Sequence, residues 1–473
     1  MRGRRPRTTF PRVNRLALVG PPLLFLAIGL AGLPADLSFE ARWTLATTAW
    51  MALWWVSDAV PMGVTALVPT LVFPLLGILD ARETARAYAH PMVFLFLGGF
   101  ILARAMEVVR LHERIALWIV IRLGGSPARA LLGFMVATAA LSAWISNTAA
   151  CVMMIPLVMG TAVYLGADDE GRPASLPLLL GVAYAASIGG LTTILGTPTN
   201  GILAGIALER YGRTIGFAEW LAVGLPVAAV LLAVTYVYLA RVSGLWRRAS
   251  GDTLRQVRAA YARLGPASPE ERRVAVVFAA MALLWSTRLL YEPYVPLTDP
   301  GIAVAGAGLL FALPGRMPSG RLLDWAEAVK IPWGVLLLFA GGLALAAGFG
   351  GSGLADYLGG VLAGLGGLPA VVLLLAVVAF VNFLTEVTSN VATASVILPV
   401  LAAMADRLGL DPLALMTGAT LAASCAFMLP MATGPNAVVF GSGELTVAYM
   451  VRRGFWLNLA SIAVVVGWMW ARG

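Results

Sequence analysis

Two polar triplets interrupt the longest apolar stretches of the chain. Ser146-Asn147-Thr148 lies near the middle of 129–165, and Ser389-Asn390-Val391 near the middle of 368–408. Ser and Asn compete for backbone hydrogen bonds and favour turns and caps over helix interiors. Each stretch therefore reads as a re-entrant helical hairpin with its triplet at the tip. Gly196-Thr197-Pro198-Thr199-Asn200 and Ala432-Thr433-Gly434-Pro435-Asn436 read as breaks in long helices, because proline removes a donor and frees carbonyls. Helix N-termini with hydroxyl and amide donors suit an anion. Freed carbonyls with hydroxyl and amide oxygens suit a hard monovalent cation. The plainer role of such residues is to glue packed helices together. Two copies in register, each followed by a Pro-Asn break, favour a site, and two cation sites around one anion suggest cation-coupled anion uptake.

The copies belong to an internal repeat. Phe96-Leu-Gly-Gly returns as Phe339-Ala-Gly-Gly, an offset of 243 positions. The same offset carries Ser142 to Thr385, Ser146-Asn147-Thr148 to Ser389-Asn390-Val391, and Pro156 to Pro399. Ala186-Ser187 matches Ala423-Ser424 with the offset slipping by a few residues. One offset held across three motifs is hard to obtain by accident, and it marks a duplicated architecture.

What must position these residues follows from composition. Of 473 residues, 60% are apolar and 12% charged, against roughly 45–50% and about 25% in ordinary globular chains. That excludes a soluble enzyme and a disordered chain, and two cysteines exclude a disulfide scaffold. The class is an all-α polytopic membrane protein, with on the order of ten crossings. The net charge of +9 is a topology signal rather than a nucleic-acid footprint. Arg2, Arg4, Arg5, Arg7, Arg12 and Arg15 precede the first apolar run, Leu16–Leu33, which reads as an uncleaved first transmembrane helix. Eight arginines between 241 and 273 face Asp252, Glu270 and Glu271, and Lys330 is the single lysine. The positive-inside rule places the N-terminus and the central loop in the cytoplasm. Parity then makes the two repeats inverted, the arrangement secondary transporters use, with the site at the repeat interface. The expected divisions are 1–41 (basic N-terminus and first helix), 42–240 (first repeat), 241–271 (cytoplasmic linker) and 272–473 (second repeat).

Other polar residues have blander expectations. Glu386, an intramembrane carboxylate and so a functional candidate, is expected to hydrogen-bond hairpin backbone, with proton coupling as the alternative. Arg104 and Glu107 are expected to form an ion pair, and Asp58 to end a helix. His90 and His112 fall near helix ends and suggest no metal cluster. Cys151 and Cys425 read as core thiols, and Trp43, Trp50, Trp54 and Trp55 as interface anchors and packing.

The stretch from Ala423-Ser424 through Pro430-Met-Ala432-Thr-Gly-Pro-Asn436 to Val439, with the two triplets, resembles the signature of the divalent anion/sodium symporter (DASS) family, over roughly 40–470. The resemblance implies two scaffold-plus-transport repeats with re-entrant hairpins and broken helices, about 11 transmembrane helices, a homodimer and elevator-type movement. It implies a first sodium site of Ser142, Ser146, Asn147 and the Gly196 carbonyl, and a second of Thr385, Thr388, Asn390 and the Ala432 carbonyl. Substrate would meet Ser146, Asn147, Thr148, Ser389, Asn390 and Val391, bordered by Thr433 and Gly434. Three positions depart from the pattern: Val391 lacks the hydroxyl of Thr148, Gly434 stands for a proline and is expected to enlarge that wall, and Thr199 replaces proline or glycine. They bear on substrate identity and leave the cation ligands intact.

The function expected is therefore sodium-coupled import of a small divalent anion, a C4-dicarboxylate such as succinate or malate, across the cell inner (plasma) membrane. No organic cofactor, catalytic residue or nucleic-acid partner is expected. The alternatives are an exchanger or proton-coupled carrier of the same fold and, from another class, an intramembrane serine hydrolase. The hydrolase would need a general base beside Ser146 or Ser389.

Overall fold

Helices make up nearly all of the computed structural model, which describes residues 15–31, 36–165, 173–247, 254–362, 364 and 367–472. Arg2, Arg4, Arg5, Arg7 and Arg12, with Arg248 and Asp252 of the linker, lie outside these residues. The first half runs α1 (Arg15–Ala31), α2 (Phe39–Ser57), α3 (Met62–Thr65), α4 (Val68–Leu75), α5 (Ala81–Tyr88) and α6 (Pro91–Val108). It continues with α7 (Leu111–Leu123), α8 (Pro127–Ser142), α9 (Asn147–Leu165), α10 (Ser175–Gly190), α11 (Pro198–Tyr211) and α12 (Phe217–Val242). After α13 (Arg255–Leu264) come α14 (Pro269–Tyr291), α15 (Asp299–Ala312), α16 (Trp325–Ala328), α17 (Trp333–Gly351) and α18 (Leu354–Leu362). The chain closes with α19 (Ala370–Leu384), α20 (Asn390–Leu408), α21 (Pro412–Ala423), α22 (Gly434–Phe440) and α23 (Val447–Arg472).

Local chemistry sets these boundaries. Capping boxes at Asp80/Glu83 and Ser268/Glu271 start α5 and α14, satisfying N–H groups that a helix start leaves orphaned. Prolines in the first turn open α6, α8, α11 and α21, where the missing N–H costs nothing. Asp58 ends α2 in the left-handed conformation, as a helix-end residue. Seven helices among the described residues are long and apolar enough to cross a membrane, and seven shorter apolar helices accompany them.

The repeat is legible element by element: α5–α12 recur in order as α16–α23. The shared Phe-x-Gly-Gly motif sits on α6 and α17, and its glycines work as a pair. A Cβ on Gly98 would strike the backbone of Ala303 on α15, and one on Gly341 would strike Ala66 beside α3. The second glycines face the other way, Gly99 onto Leu195 and Gly342 onto Ser395. Small residues let helices approach closely where lipid supplies no hydrophobic drive.

Two expectations gain detail. The linker carries a helix, α13, whose start lays Leu254 and Val257 into the core. Arg114 on α7 ties it down, donating to the Leu264 and Gly265 carbonyls and, at 3.0 and 3.2 Å, to Glu271. The tryptophans of α2 serve packing: Trp43 and Trp55 are buried, Trp43 and Trp50 meet Phe25 of α1, and Trp54 donates to the Leu18 carbonyl.

Candidate functional site

The four interruptions converge. The first hairpin breaks at 143–146, so Asn147 begins α9, and the second breaks at 385–389, so Ser389 caps α20 by accepting the Ala392 N–H at 3.1 Å. The long helices break between α10 and α11 and between α21 and α22, where Thr197 and Thr433 are the N-caps. A cavity of about 220 Å³ lies among these ends. Ser146, Asn147, Thr148, Ser389, Asn390, Val391, Thr433 and Gly434 all line it, as do Gly196 and Ala432. Its volume falls below the ~300 Å³ of the smallest drug-sized pockets and suits a molecule of few heavy atoms. Helix starts pointing N–H groups into such a cavity favour negative charge.

Behind each asparagine sits a crowded group of oxygens. Ser142 Oγ lies 2.5 Å from Asn147 Oδ1 and 2.6 Å from the Ala186 carbonyl. Thr385 Oγ1 lies 2.8 Å from both Asn390 Oδ1 and the Ala423 carbonyl. A hydroxyl carries one proton, so in each group one acceptor is left facing an oxygen. A cation placed there would relieve that repulsion. On the first side the Asn147 amide and Gly196 O border one small space, since a Cβ built on Gly190 would fall 2.8 and 2.9 Å from Asn147 Nδ2 and Oδ1 and 3.2 Å from Gly196 O. Thr388 differs: its hydroxyl pairs with Thr393 at 2.5 Å and donates to the Leu384 carbonyl at 3.0 Å. Ser142, Thr385 and Thr388 stand behind the cavity wall rather than on it.

The breaks are braced by their own asparagines. Asn200 Nδ2 donates to the Gly190 and Thr193 carbonyls at 3.2 and 2.8 Å, and Asn436 Nδ2 to Ala426 and Leu429 at 3.2 and 3.0 Å. These pairs keep the freed carbonyls ordered inside the protein, as buried backbone requires.

Three sequence expectations are corrected. Gly434 does not enlarge its wall: Thr148 Oγ1 occupies the space a Cβ would take. Thr199 is buried and points its hydroxyl at Ser424 Oγ, 3.0 Å away, linking the two breaks instead of meeting the cavity. Glu386 binds the second break rather than its own hairpin. Its carboxylate accepts the N–H groups of Phe427, Met428 and Leu429 at 2.7, 2.9 and 3.0 Å and the Asn458 amide at 2.7 Å. At the equivalent place in the first repeat, Thr193 donates its hydroxyl to the Ala143 carbonyl. Both hairpin turns are thus tied to their breaks, by different chemistry.

Several functional contributors carry no sequence mark. Carbonyls such as Ala186 and Ala423 look alike in any sequence, although the repeated Ala-Ser pair points to their position. The apolar wall of Phe100, Ile145, Leu195, Val335 and Leu338 is indistinguishable from core until folded. Beside it, Arg104 meets Glu107 at 2.8 Å, as expected, and also Glu327 at 2.5 Å. Lys330 lies 2.6 Å from Glu327, and these cations hold that carboxyl below its usual range.

Comparison with known proteins places this geometry. A family model described as citrate transporter matches residues 52–422. The sodium-dependent dicarboxylate transporter SdcS of Staphylococcus aureus (strain bovine RF122 / ET3-1) is 43% identical, over 95% of this chain and 89% of that protein. SdcS of Staphylococcus saprophyticus is 41% identical, over 95% of this chain and 90% of that protein. Among solved structures, the Alcanivorax borkumensis YdaH transporter superposes with a TM-score of 0.58 at 16% identity, covering 95% and 97% of the two chains. Neisseria gonorrhoeae MtrF superposes at 0.59 and 15%, covering 98% and 95%. These structural likenesses show a shared fold alone.

Proposed function

The chain belongs to the citrate transporter family, within the divalent anion/sodium symporters, which are transporters and not enzymes, and from that membership we propose that it imports a C4-dicarboxylate such as succinate or malate with sodium. The observation that carries the reading is the pair of oxygen groups at Ser142/Asn147 and Thr385/Asn390, standing on either side of one small cavity. Sodium held by Ser142, Ser146, Asn147 and the Gly196 carbonyl on one side, and by Thr385, Asn390 and the Thr388 and Ala432 positions on the other, would offset the dianion between them. The two positive helix starts, α9 and α20, would take one carboxylate each. SdcS, similar along nearly its whole length, is named for sodium and dicarboxylate, which supports the same pairing.

The wider architecture belongs to this proposal. Repeats at 42–240 and 272–473 are inverted and assemble about eleven crossings from long helices and helices paired across breaks. The protein is a homodimer in the plasma membrane, with its N-terminus and linker cytoplasmic, and it works by an elevator movement. The cavity reaches Pro332 and Val335 at the start of α17, near where Arg104 and Glu327 meet. A proton-coupled carrier would want a titrating group on the cavity. Glu386, the residue that suggested one, is engaged by four N–H donors instead.

The test is uptake by reconstituted protein. Labelled succinate should accumulate under an inward sodium gradient and stay at equilibrium when potassium replaces sodium. Equal accumulation with either cation would sink the coupling claim, and counterflow without any gradient would favour exchange.

A further inference from the structure

The two hairpin turns differ in what lies beneath them. Trp144 stands in the first turn, two residues before Ser146, and its half-buried ring packs against aromatics from two other helices. It stacks on Phe217 of α12 (centroids 5.5 Å, 27°) and on Trp285 of α14 (6.4 Å, 23°), and meets Phe278 of α14 edge-on at 4.7 Å and 74°. Phe217 and Trp285 stack on each other at 5.3 Å and 19°. Asp299 fixes this wall: its carboxylate accepts the Phe217 N–H at 2.8 Å and its carbonyl accepts Trp285 Nε1–H at 3.0 Å. Arg288 lies 3.3 Å from the same carboxylate. The wall residues Phe217 and Trp285 are fully buried. At the repeat-equivalent place the second turn carries Val387, which is 53% exposed.

We propose that Trp144 is a positioning residue of the first cation site. Seated on Phe217, Phe278 and Trp285, it holds the α8–α9 turn so that the oxygens of Ser142 and Asn147 stay together before the cation arrives. Stacked and edge-to-face ring pairs are directional, so the seat fixes the turn's orientation as well as its depth. A preformed site avoids the cost of ordering its ligands on binding. The second turn lacks such an aromatic seat and is held to its break by Glu386 instead. The inference rests on the sodium-symport reading and adds the residue that preorganises one of its two sites.

Sodium-dependent thermal stabilisation of the purified protein reads binding without transport, and sodium-dependent succinate uptake reads function. Trp144→Leu and, as a second route to the same loss, Phe278→Leu should each raise the sodium half-saturation about tenfold in both assays. The succinate KM at saturating sodium should stay unchanged. Trp144→Phe, which keeps a ring on the wall, should stay within about twofold of wild type. Val387→Ala, at the mirror position, should leave the sodium dependence unaltered. Half-saturation unchanged in Phe278→Leu and in any folded Trp144→Leu protein overturns the proposal, as does an equal loss in Val387→Ala. A wild-type protein that neither melts later nor transports faster in sodium overturns the symport reading itself, which separates the two failures.

Discussion

Phe96 and Phe339 lie ring against ring, centroids 5.3 Å apart at 39°. They are the same position in the repeated Phe-x-Gly-Gly motif, so the two copies of that motif touch directly. Gly201 of α11 fills the remaining space, since a Cβ there would meet both rings. The meeting point of α6 and α17 is thus also where α11 passes.

Gly201→Ala is therefore expected to destabilise the protein by about 1–3 kcal/mol, the usual range for overpacking. Lower melting temperature in detergent would show it, and Phe96→Leu in the same chain should restore part of the loss. Additive losses in the double variant would mean that the ring contact is not the cause.

Asn147→Ala and Asn390→Ala each remove the oxygen shared with Ser142 or Thr385. Each should weaken sodium stabilisation of the protein at least about tenfold, given the ~1.5–3 kcal/mol typical of a contact to a charged partner. The measurement is the midpoint of the melting shift against sodium concentration. Wild-type midpoints in both variants would remove the oxygen groups as cation sites.

Gly434→Ala should act through Thr148, whose hydroxyl occupies the space of the new methyl. The succinate KM should rise several-fold, on the order of the 1–3 kcal/mol of local repacking, with sodium half-saturation unchanged. Combining Gly434→Ala with Thr148→Ser tests the route poorly, because the hydroxyl remains. Thr148→Ala removes it, and Gly434→Ala added to that background should cost little more.

Glu386→Gln exchanges a carboxylate holding four N–H donors for an amide with one acceptor oxygen. Its NH2 group would face a backbone N–H of the second break. The expected loss is about 1–3 kcal/mol for the orphaned donor, read as a lower melting temperature. If Glu386 were instead a proton carrier, Gln would abolish the pH dependence of uptake and leave stability near wild type.

Much of this site was legible in the sequence because its residues are unusual for their surroundings. Ser-Asn triplets and Pro-Asn breaks stand out against apolar runs, and a constant offset pairs them without any knowledge of the fold. The eight residues expected to meet substrate share the lining of one cavity. What stayed hidden belongs to groups every residue shares, such as the Ala186 and Ala423 carbonyls, or to residues whose partners lie far along the chain. Trp144 gave no hint of Phe217, Phe278 and Trp285. Thr199 and Gly434 stand out in the sequence only as departures that bear on substrate identity, whereas packing turns one toward Ser424 and sets the other against Thr148. The linker helix α13 is hard to see in the sequence because its ten residues carry three arginines and few large apolar side chains, although Leu254 and Val257 anchor it.

Lys330 has one more consequence. It is the sole lysine of the chain, its side chain is 55% exposed, and it precedes by two residues the Pro332 that lines the cavity. Amine-directed chemistry therefore has a single side-chain target, already placed at the rim. A fluorophore attached there would report motion of that rim without any residue being engineered.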